Sequence, residues 1–381
     1  MAIFILPAII CLSNAKRTEF YIPVKPMKFL ISAKDEVFGL DIGSSCVKAV
    51  QLRRENSGYK LVAASRTDID RRRQADARKD IVAAIRGCFK RSHIKTTYAV
   101  CGLAGADVVV RTFRLSGLTP DKIDTAVVAE AEQVCPFEID QCVLDYQVLT
   151  GPGRAAGVPQ TTESAGQTSG ILAAATTDVI RNRIQLARAA KLRCVMIDVE
   201  GLALLNCLCE CENPSATETF AVLDVGSSCT NLAIFRRNLP PFMRDMAYGG
   251  DGIIGAISAE TNITKDKLQK MLYDSTQSGT ASYEAGDILA AGCENLIVDI
   301  TETLRYYMLH NNVSVDKVLV CGGFGQAKGF VELLSRRFSS KVELWNPFDK
   351  IDCDAESISA ETVRRYGPSM AVAAGLAMRK I

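Results

Sequence analysis

Two short segments of the sequence place aspartate, glycine and paired serines at the same spacing, and these residue types suit phosphate binding. Asp41–Ser45 reads DIGSS and Asp224–Ser228 reads DVGSS. Glycine lets the backbone approach a ligand closely, and serine hydroxyls and backbone N–H groups within a turn bind phosphate oxygens. An aspartate at a strand end can hold a hydrated Mg²⁺ ion against those oxygens, because Mg²⁺ prefers oxygen ligands and keeps several waters. The two segments therefore predict binding of a polyphosphate with Mg²⁺.

Both segments belong to an internal repeat. Phe38–Arg54 and Ala221–Arg237 align without gaps at a separation of 183 residues, and eight of their 17 positions are identical. In each copy an apolar strand ends at the aspartate, a tight turn follows, and an alternating apolar and polar segment resumes, which is typical of a β-hairpin. The repeat predicts a duplicated domain whose two hairpins face each other across a cleft.

A glycine-rich turn forms the third motif. Val318–Phe330 reads VLVCGGFGQAKGF, in which an apolar strand runs into the glycines and a helix is predicted to begin near Lys328. Such a strand-to-helix turn lets backbone lie flat against a nucleotide base or ribose, near the helix N-terminus. The motif is neither a GxxxxGK[ST] loop nor a GxGxxG fingerprint in the required place, so it predicts nucleotide binding only together with the two hairpins.

The order of these motifs resembles the actin-like ATPase superfamily, and more closely its PilM family, whose members act in type IV pilus assembly. The resemblance extends from about Val37 to the C-terminus. Beyond the nucleotide motifs it is carried by Ala126–Leu149, with its helix, PF turn and strand, and by the helical segments Ile197–Asn206 and Ser369–Lys380. It implies an α/β, actin-like (ribonuclease-H-like) two-lobed fold with a duplicated core and an inserted subdomain, called 1C.

The resemblance also implies roles for individual residues in binding ATP with Mg²⁺. Asp41 and Asp224 match the two aspartates near Mg²⁺. The implied phosphate loops comprise Gly43, Ser44, Ser45, Lys48, Gly226, Ser227, Ser228 and Thr230. The implied contacts to the rest of the nucleotide are Gly250, Lys270, Gly322, Gly323 and Phe324. Glu200 completes the implied catalytic set, because it stands where relatives orient the attacking water; a glutamate stabilised by a helix N-terminus is the alternative.

Two departures from the family pattern bear on activity. Phe324 stands where relatives often have a third consecutive glycine, and it could stack on adenine or partly fill the site. Lys267 stands where relatives often have an acid, three residues before Lys270. A ribose contact is lost with that acid, so at most a slow ATPase is expected.

The chain is expected to divide into an N-terminal extension and four subdomains. The boundaries are 1–36 for the extension, 37–95 and 171–216 for subdomain 1A, 96–170 for subdomain 1C with a flexible loop at 151–170, 217–252 and 291–381 for subdomain 2A, and 253–290 for subdomain 2B. The strand Tyr98–Leu103 is assigned to 1C, and the strand Gly170–Thr176 is expected to return to the sheet of 1A.

The resemblance implies a cytoplasmic scaffold of the inner-membrane platform of a type IV pilus, or of a related competence or secretion apparatus. Its implied partner is a PilN-like inner-membrane protein, whose N-terminal cytoplasmic peptide binds a groove shaped by subdomains 1A and 1C. The segment assigned to that groove is Cys135, Pro136, Phe137 and Glu138. Other platform proteins and the motor ATPase are further implied partners, and attachment to the inner membrane is expected to be peripheral, through a partner.

Two other functions remain open at this stage. An FtsA-like filament protein on the membrane usually ends in an amphipathic helix, and this chain ends at Ile381 without one. A small-molecule kinase of the superfamily would need a second substrate site and an aspartate base, for which no motif is present.

Composition excludes several other classes. The chain has 45 basic and 43 acidic residues, so its net charge of +2 does not favour a nucleic-acid partner. Only two of its 381 residues are histidines, which argues against a His-rich metal site and against a His-based acyl-transfer enzyme. The 14 cysteines are interpreted as reduced, small apolar side chains; a zinc site at Cys207, Cys209 and Cys211 would have unusual spacing. The uncharged run Ala2–Leu12 is shorter than the about 20 residues of a spanning helix.

Overall fold

The computed structural model describes residues 10–11, 36–56, 58–71, 76–150, 167–273, 281–354 and 358–380. Most of the predicted N-terminal extension lies outside these ranges. The predicted flexible loop at 151–170 also lies outside them, except for its last four residues, which belong to a strand.

Strands and helices alternate along the chain. The elements of the first half are β1 (Ile10–Cys11), β2 (Phe38–Ile42), β3 (Cys46–Glu55), β4 (Gly58–Asp68), α1 (Ala77–Ser92), β5 (Tyr98–Leu103), β6 (Val108–Ser116), α2 (Ile123–Val134), β7 (Cys142–Thr150), β8 (Gln167–Thr176), α3 (Thr177–Ala189), β9 (Arg193–Val199) and α4 (Glu200–Glu212). Those of the second half are β10 (Thr219–Val225), β11 (Thr230–Arg236), β12 (Phe242–Met246), α5 (Gly250–Thr261), α6 (Lys265–Tyr273), α7 (Ala281–Asn311), β13 (Lys317–Cys321), α8 (Phe330–Arg337), β14 (Lys341–Leu344), β15 (Asp352–Cys353), α9 (Ala360–Tyr366) and α10 (Ala371–Ala377).

The first hairpin lies at the centre of a seven-stranded sheet with the order β1-β9-β5-β2-β3-β4-β15. β2 is antiparallel to β3 and parallel to β5. All five residues of β2 are buried, because α1 covers the neighbouring strands and α10 packs on β2. A strand covered on both faces carries apolar residues without strict alternation, as the sequence FGLDI does.

The second hairpin lies in a five-stranded sheet with the order β12-β11-β10-β13-β14. Here β10 is antiparallel to β11 and parallel to β13. The registers of the two hairpins correspond, since Asp41 faces Lys48 in the first and Asp224 faces Asn231 in the second. The predicted pair of hairpins is confirmed, and each lies in the sheet of a different lobe.

A third, small sheet has the order β6-β8-β7, with α2 packed on it. Two strand assignments made from the sequence are wrong. β5 pairs with β2 and β9 in the large sheet rather than belonging with the insertion. β8 does not return to the large sheet, because it lies between β6 and β7 and is antiparallel to both. The subdomain boundaries themselves remain a prediction.

Several element bounds differ modestly from those expected. The four-residue spacing of Leu296, Ile300 and Leu304 predicts a helix from Gly292 to His310, and this helix begins earlier, at Ala281. The sequence LWNP predicts a short strand at Leu344–Pro347, and the strand lies upstream, at Lys341–Leu344. Trp345 after it is buried, as expected of the single tryptophan, and its indole N–H donates to Glu212 Oε1 at 3.0 Å.

Two buried contacts near the C-terminal end of the chain hold it against the first lobe. A Cβ on Gly375 of α10 would lie 1.9 Å from the Ala203 carbonyl oxygen, so only glycine allows α10 to pack this closely on α4. Arg379 donates from Nη2 to Asp198 Oδ1 at 2.7 Å, and both side chains are buried. This ion pair ties the end of the chain to β9, directly before Glu200.

Candidate functional site

The two predicted phosphate turns have the same backbone geometry. In the first, the Gly43 N–H donates to the Cys46 carbonyl at 3.1 Å, and in the second the Gly226 N–H donates to the Cys229 carbonyl at 2.9 Å. Each turn thus closes over two serines at the tip of its hairpin. The sequence repeat is therefore a repeat of local structure.

The tips of the two turns touch. Ser228 Oγ donates to Ser44 Oγ at 2.8 Å, across 184 residues of chain. The first turn of α5 also closes on the second hairpin, because the Gly250 N–H donates to the Gly226 carbonyl at 2.9 Å. The structure thus brings together both serine turns and the helix start that the sequence assigned to one site.

Arg71 is a site residue that the sequence motifs did not include, because a run such as Arg71–Arg73 is by itself typical of a solvated charged face. Its guanidinium donates to the Ser44 carbonyl from Nε at 3.1 Å and from Nη2 at 2.8 Å, and Nη2 also reaches Ser227 Oγ at 3.3 Å. Its Nη1 pairs with Asp251 Oδ2 of α5. No signal in the sequence singles Arg71 out from its neighbours, because the contact depends on how the lobes meet.

Asp41 and Lys48 form a largely buried ion pair at the base of the first hairpin. Lys48 Nζ lies 2.7 Å from Asp41 Oδ2, and Asp41 is only 3 % exposed. Burial alone would lower the pKa of Lys48, but the neighbouring Asp41, Cys46 and Asp224 outweigh it and raise the pKa above its ordinary value. Lys48 is therefore a permanent cation beneath the phosphate turn.

Two further carboxyl groups lie close enough for their charges to interact with this pair. Burial, reinforced by Asp41 and Asp224 and opposed by Arg183, raises the pKa of Glu200 to about 8. Burial likewise raises the pKa of Asp224 to about 6, although Lys48 lowers it. Asn231 Nδ2 lies 3.5 Å from Glu200 Oε2. The site thus concentrates acidic groups that a bound cation would keep ionised.

The acidic groups fit a Mg²⁺ ion held through water better than one held directly. No group of three or more His, Cys, Asp or Glu side chains in the described ranges is arranged to hold a metal ion. Lys48 already occupies Oδ2 of Asp41, which leaves that carboxylate one oxygen for another partner. Mg²⁺ commonly keeps several waters and takes one or two carboxylates together with substrate phosphates, which suits Asp41 and Asp224.

The glycine-rich turn lies directly against the second hairpin. Gly322 has φ +88° and a Cβ there would lie 2.3 Å from Asp224 Oδ1, so both its conformation and its surroundings require glycine. Its N–H donates to the Pro368 carbonyl at 3.0 Å. Gly323 has open space where its Cβ would be, so its backbone is accessible to a flat ligand.

The structure also places three of the residues predicted to contact the nucleotide: Phe324, Thr230 and Lys270. The first two are buried and the third is exposed. Phe324 is 2 % exposed and packs edge-on against Phe330, with centroids 5.1 Å apart, so it fills the core rather than offering a stacking face. Thr230 is buried and its hydroxyl donates to the Tyr248 carbonyl at 2.7 Å rather than facing the turn. Lys270 is exposed on α6.

A groove lies between the edge strands of two sheets. It has a volume of about 850 Å³ and is lined on one side by β6 and on the other by β12 and the end of α7. The Gly105 N–H donates to Asp245 Oδ2 at 2.8 Å where the two sides approach each other. The predicted partner segment Cys135–Glu138 does not line this groove, because it leads from α2 into β7, the other edge strand of the small sheet.

No helix in the described part of the chain is long and apolar enough to cross a membrane. The thirteen cysteines from Cys46 to Cys353 are all free thiols.

Comparisons with known proteins agree on the fold. The model of the family described as type IV pilus assembly protein PilM matches residues 39–381. A solved structure titled "PilM-PilN type IV pilus biogenesis complex" is similar at a TM-score of 0.75 with 24 % identity, over 91 % of this chain and 98 % of that one. The ethanolamine utilization protein EutJ from Carboxydothermus hydrogenoformans is similar at a TM-score of 0.50 with 13 % identity, over 90 % of this chain and 88 % of that one. The predicted two-lobed actin-like fold is confirmed.

Proposed function

This chain belongs to the PilM family of type IV pilus assembly proteins, and on that premise we propose that it is an ATP-binding scaffold that holds a PilN-like inner-membrane protein. The observation that carries the nucleotide part is the meeting of two identical Gly-Ser-Ser turns beside a largely buried lysine and three carboxyl groups. Such a site provides backbone N–H groups, hydroxyls and one permanent cation for a polyphosphate.

In the proposed complex, the phosphates lie between Ser44–Ser45 and Ser227–Ser228, and the adenosine lies along Gly322 and Gly323. Lys48 neutralises phosphate charge from below, since its ammonium group remains protonated. The exposed Lys270 on α6 is the proposed contact at the sugar. The buried Phe324 supports the glycine turn from behind and leaves the base no aromatic partner there.

Asp41 and Asp224 are the proposed holders of a hydrated Mg²⁺ ion. When bound, Mg²⁺ would neutralise charge on the phosphate oxygens and orient them. With a pKa of about 6, Asp224 is mostly ionised at neutral pH, and a cation beside it would keep it ionised at lower pH.

Glu200 is the proposed general base for a slow hydrolysis. Its carboxyl group lies at the N-terminus of α4, beside the other two acids. A base must be ionised to accept a proton from water, and without a bound cation a pKa of about 8 leaves most of Glu200 protonated at neutral pH. Glu200 would therefore act as a base only when a cation bound beside it favours its ionised form.

The nucleotide site is tested by calorimetric titration with ATP and Mg²⁺. Asp41→Asn and Asp224→Asn should each weaken ATP binding at least tenfold, because each removes a charge from the Mg²⁺–phosphate arrangement. Asp178→Asn, at the exposed start of α3, is the matched control and should bind ATP normally. Wild-type affinity in both site variants, each shown to be folded by its melting temperature, would contradict the assignment.

The partner part of the proposal concerns the groove between β6 and β12. Within the described ranges β6 is bonded only to β8, and β12 only to β11, so each strand has an unpaired edge. An extended peptide can add to such an edge through backbone hydrogen bonds, with apolar pockets supplying specificity. The groove offers Val108, Val110, Phe242, Met243 and Tyr306 for this. We place the N-terminal peptide of the PilN-like partner here, which differs from the groove between subdomains 1A and 1C that the resemblance implied, because β12 lies in the range expected for subdomain 2A. Attachment to the inner membrane and to other platform proteins would follow through that partner.

A synthetic N-terminal peptide of the neighbouring PilN-like protein tests this placement. Tyr306→Ala should weaken peptide binding about fivefold or more, since exposed aromatic groups commonly dominate such interfaces. Leu309→Ala is the control, because Leu309 is more exposed on the same helix and does not line the groove. Phe137→Ala tests the segment Cys135–Glu138. If only this variant loses affinity, the peptide binds at the α2–β7 turn and not in the groove.

A further inference from the structure

Arg71 is the one cation in the described structure whose guanidinium bonds to both phosphate turns. It belongs to the first lobe, where its Nε and Nη2 bond to the Ser44 carbonyl. Its other contacts, Ser227 Oγ and the Asp251 carboxylate, belong to the second lobe. The arginine therefore spans the line along which the two turns meet.

An ordinary surface ion pair does not account for this arrangement. Arg71 and Asp251 are each 45 % exposed, and an exposed pair of this kind contributes little to stability. The three additional bonds aim the guanidinium at the junction of the turns rather than at solvent. A planar guanidinium with several donors in a fixed fork matches phosphate oxygens better than it matches a serine hydroxyl and a carbonyl.

We propose that Arg71 is a phosphate-binding residue of the nucleotide site and that the Asp251 carboxylate is the internal anion that a polyphosphate displaces from it. This inference rests on the proposed nucleotide function. Phosphates between the turns must part the Ser44–Ser228 contact, which is 2.8 Å long. They would then lie within reach of the guanidinium that bonds to both turns, and a polyphosphate carries more charge than one carboxylate.

The exchange gives the two residues opposite effects on affinity. Removing the guanidinium removes a ligand of the phosphates, so binding weakens. Neutralising Asp251 removes the competitor, so binding strengthens. A residue that served only to hold the lobes together would give the same sign for both variants, because both break the same ion pair.

The experiment measures binding of ATP, inorganic tripolyphosphate and adenosine to the full chain by calorimetry. Arg71→Gln should weaken ATP and tripolyphosphate binding about tenfold and leave adenosine binding unchanged, since charge-assisted hydrogen bonds to phosphate are lost. Asp251→Asn should tighten ATP and tripolyphosphate binding about threefold. Arg78→Gln, whose Nη2 bonds to Gln185, and Asp178→Asn are the matched controls and should behave as wild type.

The outcomes separate this inference from the function beneath it. If wild type binds neither ATP nor tripolyphosphate, the proposed nucleotide function fails before any variant is compared. If wild type binds ATP and Arg71→Gln binds it equally well, the function stands and the role of Arg71 is overturned. Equal losses for ATP and adenosine, or changes of the same sign in both variants, would make Arg71 a structural residue and also overturn the inference.

Discussion

At the scale of single residues, the site is defined by charge in a confined space. Three carboxyl groups, Asp41, Asp224 and Glu200, act on one another, and Lys48 and Arg183 offset them. Burial raises the pKa of Glu200 to about 8, further above its ordinary value than that of Asp224. The same shift that makes Glu200 a poor base at neutral pH also makes it a liability for folding, because its ionised form is disfavoured in the folded state.

This liability predicts a pH dependence of stability. Between its ordinary pKa of 4.5 and about 8, Glu200 keeps its proton in the folded chain and loses it in the unfolded chain. The folded state then binds more protons, so the free energy of unfolding contributed by this group falls as pH rises through that window. Glu200→Gln should therefore melt at a higher temperature than wild type at pH 8.5, with the difference shrinking towards pH 5.

Thermal melting of wild type, Glu200→Gln and the exposed control Glu332→Gln across this pH range is the measurement. Asp224, whose pKa burial raises to about 6, adds a decline at lower pH that all three proteins share. Parallel curves for wild type and Glu200→Gln would show that the carboxyl group ionises as freely in the folded chain as in the unfolded one.

At the scale of elements, the glycine-rich turn contains one position at which two independent constraints require glycine. Gly322 has a positive φ and also lies against the carboxylate and backbone of the second hairpin. Gly323, the next residue, has an ordinary helical conformation, φ −65° and ψ −43°, and open space around it. Conformation and packing therefore both require glycine at position 322, whereas at position 323 neither does, and the glycine there leaves the backbone open.

Alanine substitution should separate the two. Gly322→Ala should lower the melting temperature by several degrees, because a Cβ 2.3 Å from Asp224 Oδ1 forces the turn away from β10. Gly323→Ala should melt close to wild type, since its Cβ meets nothing within 4 Å. Equal melting temperatures would mean that the turn relaxes without cost, and the close packing against Asp224 would lose its significance.

At the scale of the whole molecule, the duplicated hairpins build two lobes that touch at their turns. The small sheet and the five-stranded sheet leave edge strands β6 and β12 facing one groove. One wall of the groove is β6 of the small sheet and the other is β12 of the five-stranded sheet. Any nucleotide that changed the contact between the turns would therefore also change the width of the groove. Binding of nucleotide and peptide would then be coupled, and each would alter the affinity of the other by the same factor.

Much of the site could be predicted from the sequence because the residues of each turn are neighbours along the chain. The segment Asp-x-Gly-Ser-Ser forms a hairpin turn in both of its copies, and its repetition 183 residues later indicated two such turns in duplicated surroundings. Glu200 was placed at a helix start, and α4 begins there. Gly322 was singled out as a turn glycine, and its positive φ agrees.

Other features depended on contacts between distant segments. The role of Arg71 is invisible in the run Arg71–Arg73, because it comes from Ser227 and Asp251 more than 150 residues away. β8 was assigned to the wrong sheet, since an apolar strand carries no mark of which partners it will pair with. The alternatives left open for Phe324 were decided by Phe330 and Gly250, which enclose its ring.

The amino-acid sequence by itself determined the local turns, the duplication and the chemistry of the residues at the turns, because these depend on neighbours along the chain. Tertiary structure alone decided which strands share a sheet, which cation reaches both turns and which groove lies open. Those features arise where segments far apart in sequence meet, and their hydrogen bonds, burial and charge interactions exist only after the lobes have packed.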